Sequence, residues 1–133
     1  MAICEDSGLP IAIKVASASP HEITLAESTI DARFTRRIPH LLIGDRAYDS
    51  DPHDTKLRKR HIVLIAPHRG NRRRPRTQDG RPLRRYRRRW KVERLNAWLQ
   101  NNRRLVTRYE RDPNNFLGFI HLACMRILLK NYF

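Results

Sequence analysis

Three short apolar runs, each followed by helix signals, constrain this chain more than any other feature. LPIAIKVASA alternates and is rich in Ile and Val, which predicts a strand over 9–16. Ser19-Pro20-His21-Glu22 then offers a cap, a first-turn proline and a capping-box acid, predicting a helix to about 34. HLLIG predicts a strand at 40–43 that ends in a Gly-Asp turn. Ser50-Asp51-Pro52 opens a helix over 51–60, and HIVLIAP is a further strand. Helices are expected at 83–104 and 115–132, and MAIC reads as the tail of a strand that begins upstream. This order predicts an α/β fold with a mostly parallel core and right-handed crossovers. In such sheets polar side chains collect at the carboxyl ends of strands, where Asp45 comes two residues after Ile43.

Charge is distributed as unevenly as the apolar runs are regular. Residues 1–54 carry five Lys/Arg against nine Asp/Glu, whereas residues 55–133 carry 23 against four. The net charge is +15. A half this basic takes nucleic acid as its default partner, because each phosphate it neutralises releases counterions. An anionic membrane surface is the main competitor. At 133 residues, 40% hydrophobic, the chain suits one globular domain. The apolar run FLGFIHLACMRILL is interrupted by His121 and Arg126 and is too short to span a bilayer, so a soluble, cytoplasmic protein is expected. Cys4 and Cys124 lack metal-site spacing and sit among apolar residues, which predicts buried thiols in a reducing compartment. None of the six histidines has zinc spacing. His68, entering the basic segment 68–82, suits a structural or phosphate-contacting role. In the biased stretch GNRRRPRTQDGRPLRRYRRR, residues 70–89, the first half is expected to be a mobile loop that orders on a polyanion.

Within RRYRRRWKVERLNAWLQ a single carboxylate, Glu93, stands among seven arginines and lysines. On a continuous helix Tyr86, Arg89 and Gln100 lie within about 40° of Glu93, while Val92, Leu95, Leu99 and Val106 form a separate core stripe. Glu93 has two readings. It is an exposed partner of Arg89 one turn back, or it joins Asp45 as an oxygen ligand for Mg²⁺ or Mn²⁺. Asp45 has its own local alternative, as a turn residue capping the next segment of chain.

LIGDRAYDSDP, LIAPHRGNRRRPRTQDGR, RRYRRRWKVERLNAWLQNNRRLVTRYE and NNFLGFIHLACMRILLK, in this order, resemble bacterial insertion-sequence transposases of the insertion-sequence-five family. The resemblance covers essentially the whole chain, residues 1–133. It implies a ribonuclease-H-like fold, here truncated at its first strand, with an Asp-Asp-Glu triad. Asp45 matches the second acidic residue and Glu93 the third. Tyr86, Arg89 and Glu93 fit the helix signature, whereas Gln100 stands where the family has lysine, with Arg103 and Arg104 the nearest cations. The first acidic position falls on Glu5, one methylene longer than the family's aspartate, with Asp6 beside it.

The resemblance further implies two Mg²⁺ or Mn²⁺ ions held by Asp45, Glu93 and Glu5 or Asp6. The reaction implied is cleavage at the transposon ends and then strand transfer to target DNA. Tyr86 and Arg89 would contact DNA near the cut. Arg72, Arg73, Arg74, Arg76, Arg84, Arg85, Arg87 and Arg88 would bind phosphates. A homodimer on DNA is implied, as is an upstream-frame transposase segment that completes the first strand. The alternative is a catalytically inactive, DNA-binding remnant. A basic RNA-associated protein explains the charge but neither GDRAYDS nor the spacing of Glu93.

Overall fold

The computed structural model describes residues 1–77 and 80–132, so positions 78 and 79 of the expected basic segment lie outside it. β1 (Ala2–Cys4) and β2 (Pro10–Ile13) form an antiparallel hairpin. Next in the chain are α1 (Glu22–Asp31), β3 (Leu41–Ile43), a 3-10 turn (Arg46–Tyr48), α2 (Asp51–Lys59) and β4 (Val63–Ile65). Then come α3 (Gly80–Leu83), a 3-10 stretch (Arg84–Arg89), α4 (Trp90–Gln100), α5 (Arg103–Val106) and α6 (Pro113–Tyr132).

The mixed α/β character matches expectation, but the mostly parallel sheet does not. β3 and β4 are parallel, and they pair apart from the antiparallel hairpin. The reason is local: only five residues separate Cys4 from Pro10, and a connection that short can only turn a strand back on itself. Gly8 makes the turn, with φ +89, as its N–H donates to Glu5 O at 2.9 Å. The register also shifts between Ile3 and Cys4. Glu5 and Asp6 therefore lie in the turn beyond β1 rather than on the strand.

The hairpin separates two apolar clusters. Ile3 and Ala12 pack with Ile30, Leu42, Leu57, Ile62 and Leu64 on one side. Leu9 packs with Leu95 and Ile127 on the other, where Ala2, Cys4 and Trp98 lean against them. This is the strand's alternation at work, odd and even residues facing opposite partners.

α1 begins two residues later than its sequence signals suggest. His21 precedes it and makes no side-chain cap, and Thr24 instead donates its hydroxyl to His21 O at 2.6 Å. α2 is complemented at both ends, with Asp51 and Asp54 in its first turn and Lys56, Arg58 and Lys59 in its last. It stops through His61, whose φ of 59 lets Ile62 N–H reach back to Leu57 O at 2.9 Å.

The single helix expected over 83–104 is divided. Residues Arg84–Arg89 coil as a 3-10 helix, and the chain turns extended at Asn102 before α5. The five arginines of this stretch repel one another and bury nothing, so tertiary packing does not enforce a regular helix until Trp90. No helix among the described residues is long and apolar enough to cross a membrane.

Candidate functional site

β3 ends at Ile43 and its ladder continues one step further, Gly44 N–H donating to Ile65 O at 2.9 Å. Tyr48 then folds back over Gly44, so closely that a Cβ at position 44 would meet the Tyr48 side chain at 2.8 Å. That close approach explains the glycine of GDRAY. It also aims Asp45 out of the strand end, where its Oδ1 accepts the Ala47 N–H at 2.8 Å. Partial burial pushes the Tyr48 hydroxyl up to about 12, with Glu22 and Asp45 adding to the effect.

Glu93 sits in the first turn of α4, 57% exposed, and takes Arg89 Nη2 on its Oε1 at 2.6 Å. The Arg89 guanidinium also lies 5.8 Å from the centre of the Tyr86 ring. Tyr86, Arg89 and Glu93 thus stay neighbours although the helix beneath them changes type.

The hairpin turn is bound to this helix. Arg88 Nη1 reaches both carboxylate oxygens of Asp6, at 3.1 and 3.0 Å, and Lys91 Nζ reaches Oδ1 at 2.8 Å. The Lys91 hydrogen bond, reinforced by Arg88, holds the Asp6 carboxyl below its ordinary value. Arg94 donates to Ser7 O and stacks between Trp90 and Trp98, 4.8 Å from each ring centre. Among the described residues the Glu5 side chain has one hydrogen bond, its Oε1 accepting the Ser7 hydroxyl at 2.5 Å.

Glu5, Asp6, Asp45 and Glu93 line one cleft of about 1580 Å³, with Arg85, Arg88, Arg89 and Lys91 on its wall. All four acids are oxygen donors of the kind Mg²⁺ and Mn²⁺ prefer. As arranged they do not close on an ion: no three His, Cys, Asp or Glu among the described residues cluster as a metal site.

The basic residues fall into two sets. Arg88, Lys91 and Arg94 bind the hairpin turn, and Arg104 pairs with Glu110 at 3.5 Å. Arg72 turns inward to Asp49 and Asp51 at 2.9 and 2.8 Å, and Arg74 reaches Asp51 at 3.3 Å. Arg73, Arg76, Arg84, Arg85, Arg87 and Arg103 are exposed, as is Gln100 at the end of α4. Residues of this loop converge on Asp49, a residue that motif spacing does not single out. Its sequence signal is the facing of an acidic stretch, 45–54, by a basic one, 68–76.

The transposase DDE domain family matches residues 1–128. A Burkholderia cepacia protein that carries the name of a transposase for insertion sequence element IS402 is 34% identical over 133 aligned positions. That alignment takes in 94% of this chain and 59% of the relative, so the chain spans well under two thirds of that protein's length. No solved structure matches. By the extent of the family match and the identity to this relative, the chain belongs to the transposase DDE domain family.

Proposed function

We propose that the chain serves DNA transposition, as part of a catalytic domain that cleaves strands at insertion-sequence ends and joins them to target DNA. The observation that carries this reading is the shared cleft: Asp45, Glu93 and Glu5 line one cavity together with Arg85, Arg88, Arg89 and Lys91. Residues 1–133 form one ribonuclease-H-like domain in this proposal, completed by a preceding segment and acting as a homodimer on DNA in the cytoplasm.

Asp45, Glu93 and Glu5 would hold Mg²⁺ or Mn²⁺ only once drawn closer together than they lie here. Such ions, when bound, make a water or a 3′-hydroxyl nucleophilic and steady the leaving oxygen. The chain's own residues supply position. Asp45 accepts the Ala47 N–H, and Glu93 accepts a hydrogen bond from Arg89. Asp6 is committed to Arg88 and Lys91, which leaves Glu5 as the third carboxylate. Tyr86, Arg84, Arg85 and Arg87 lie in the segment leading to Glu93, suited to the DNA backbone near the cut. Arg103 and Arg104 extend that basic track, with Gln100 a neutral hydrogen-bonding side chain beside them.

A second reading has its own support. Because Glu93 is paired with Arg89 and the acids do not converge on an ion, the chain also suits a DNA-binding remnant without catalysis. Nicking of DNA bearing the element's end decides between them. Catalysis requires nicking with Mg²⁺ or Mn²⁺ that Glu93→Gln removes. Salt-steep DNA binding without any nicking establishes the remnant.

A further inference from the structure

Asp49 lies four residues beyond Asp45 on the connection between β3 and α2, and its side chain is 6% exposed. Its Oδ1 meets His68 Nδ1 and Arg72 Nη1, each at 2.9 Å, and its Oδ2 accepts the Arg69 N–H at 2.7 Å. The Thr77 N–H donates to His68 Nε2 at 3.2 Å, so that nitrogen is the acceptor and the ring proton sits on Nδ1, donating to Asp49. Arg69 donates to Arg46 O and Ala47 O at 3.2 and 3.0 Å, and Arg72 to Pro75 O at 3.2 Å. Burial works against the Asp49 charge, but the Arg69 amide, His68 and Arg72 outweigh it and hold the carboxyl below its ordinary value.

A loop this rich in arginine repels itself and would otherwise stand extended in water. Here both ends, His68 and Thr77, and its middle, Arg72, return to one carboxylate or its histidine partner. Arg73 and Arg76 are left exposed without a partner among the described residues.

We propose that Asp49 is a positioning residue: through His68 and Arg72 it presets loop 68–77 so that Arg73 and Arg76 meet the phosphates of DNA. The proposal rests on the DNA-binding reading above. A loop ordered beforehand loses less conformational entropy on binding, so affinity depends on its shape as well as its charge. That makes the sign of one substitution decisive. Asp49→Asn removes a negative charge and releases Arg72, which by charge alone tightens DNA binding; loss of the preset shape weakens it.

The test pairs Asp49→Asn with His68→Gln, reading amide exchange across 68–77 and in α1, and affinity for a fluorescent random-sequence DNA duplex. Exchange at Arg69 and Thr77 is expected to speed up at least about tenfold in both variants while α1 keeps its protection. Duplex affinity is expected to fall about threefold to tenfold in both, and in Asp49→Asn against the change in net charge. Unchanged loop exchange overturns the proposal, as does a loosened loop with equal or tighter binding. Loop and α1 loosening together in both variants makes Asp49 a folding residue and also overturns it. Wild-type protein that fails to bind the duplex sinks the DNA reading itself, and this proposal with it.

Discussion

Arg89 holds Glu93 by a 2.6 Å contact between Nη2 and Oε1, one turn away and across the junction where the 3-10 stretch gives way to α4. Both side chains are substantially exposed, so the pair contributes little to stability, about 0.3–0.5 kcal/mol. Its importance is where it keeps the carboxylate. Glu93→Gln is therefore expected to leave the thermal midpoint within about 2 °C of the parent while abolishing Mg²⁺-dependent nicking. A drop in midpoint matching the loss of activity would show a folding defect instead.

Neighbouring acids in the hairpin turn are expected to behave unequally. Asp6→Ala removes the carboxylate contacts to Arg88 and Lys91 but leaves the Lys91 bond to Asp6 O and the Arg94 bond to Ser7 O, so it lowers the melting temperature only slightly. Glu5→Ala breaks only a contact with Ser7, leaves melting unchanged, and removes metal-dependent nicking. Glu5→Asp, which keeps the carboxylate, retains nicking. Calorimetry and the nicking assay on the three variants separate structure from chemistry.

Leu95 is fully buried between Leu9 of the hairpin and Ile127 of α6. Leu95→Ala is expected to cost about 2–5 kcal/mol, because the deleted methyls leave a void that three elements cannot close together. Chemical denaturation measures it, and a loss under about 1 kcal/mol would mean that this cluster does not join the hairpin to the helices.

Tyr48 makes stability fall at high pH. Its hydroxyl ordinarily titrates at 10 and is pushed up to about 12 by burial, with Glu22 and Asp45 opposing ionisation. The folded state thus favours the neutral phenol. That contribution is complete below about pH 10 and is lost as pH rises through about 12. Tyr48→Phe is expected to flatten the decline between those values. Unfolding midpoints of both proteins across that window provide the check, and identical curves refute the assignment.

Most elements were legible because their signals are local. The apolar runs predicting strands at 9–16, 40–43 and HIVLIAP each contain a strand, and Asp51-Pro52 starts α2 as expected. The misreadings have physical causes. Periodicity treated Arg84–Arg89 as regular helix, although that stretch buries no side chain able to enforce one. The resemblance set the first acidic position at Glu5, a strand position in the family, although here Gly8 turns the chain before β1 could extend that far.

By itself the sequence determined the alternation of strands and helices, the Gly-Asp turn after Ile43, and the spacing of Tyr86, Arg89 and Glu93. Each depends on residues a turn or two apart. Only the tertiary structure decided which charges meet. Asp6 pairs with Arg88 across 82 positions, and Asp49 selects Arg72 from a run of near-identical arginines 23 positions away. Charge acts through space and carries no sequence period, so composition told how many arginines there were, and the fold chose which ones hold the protein and which face outward.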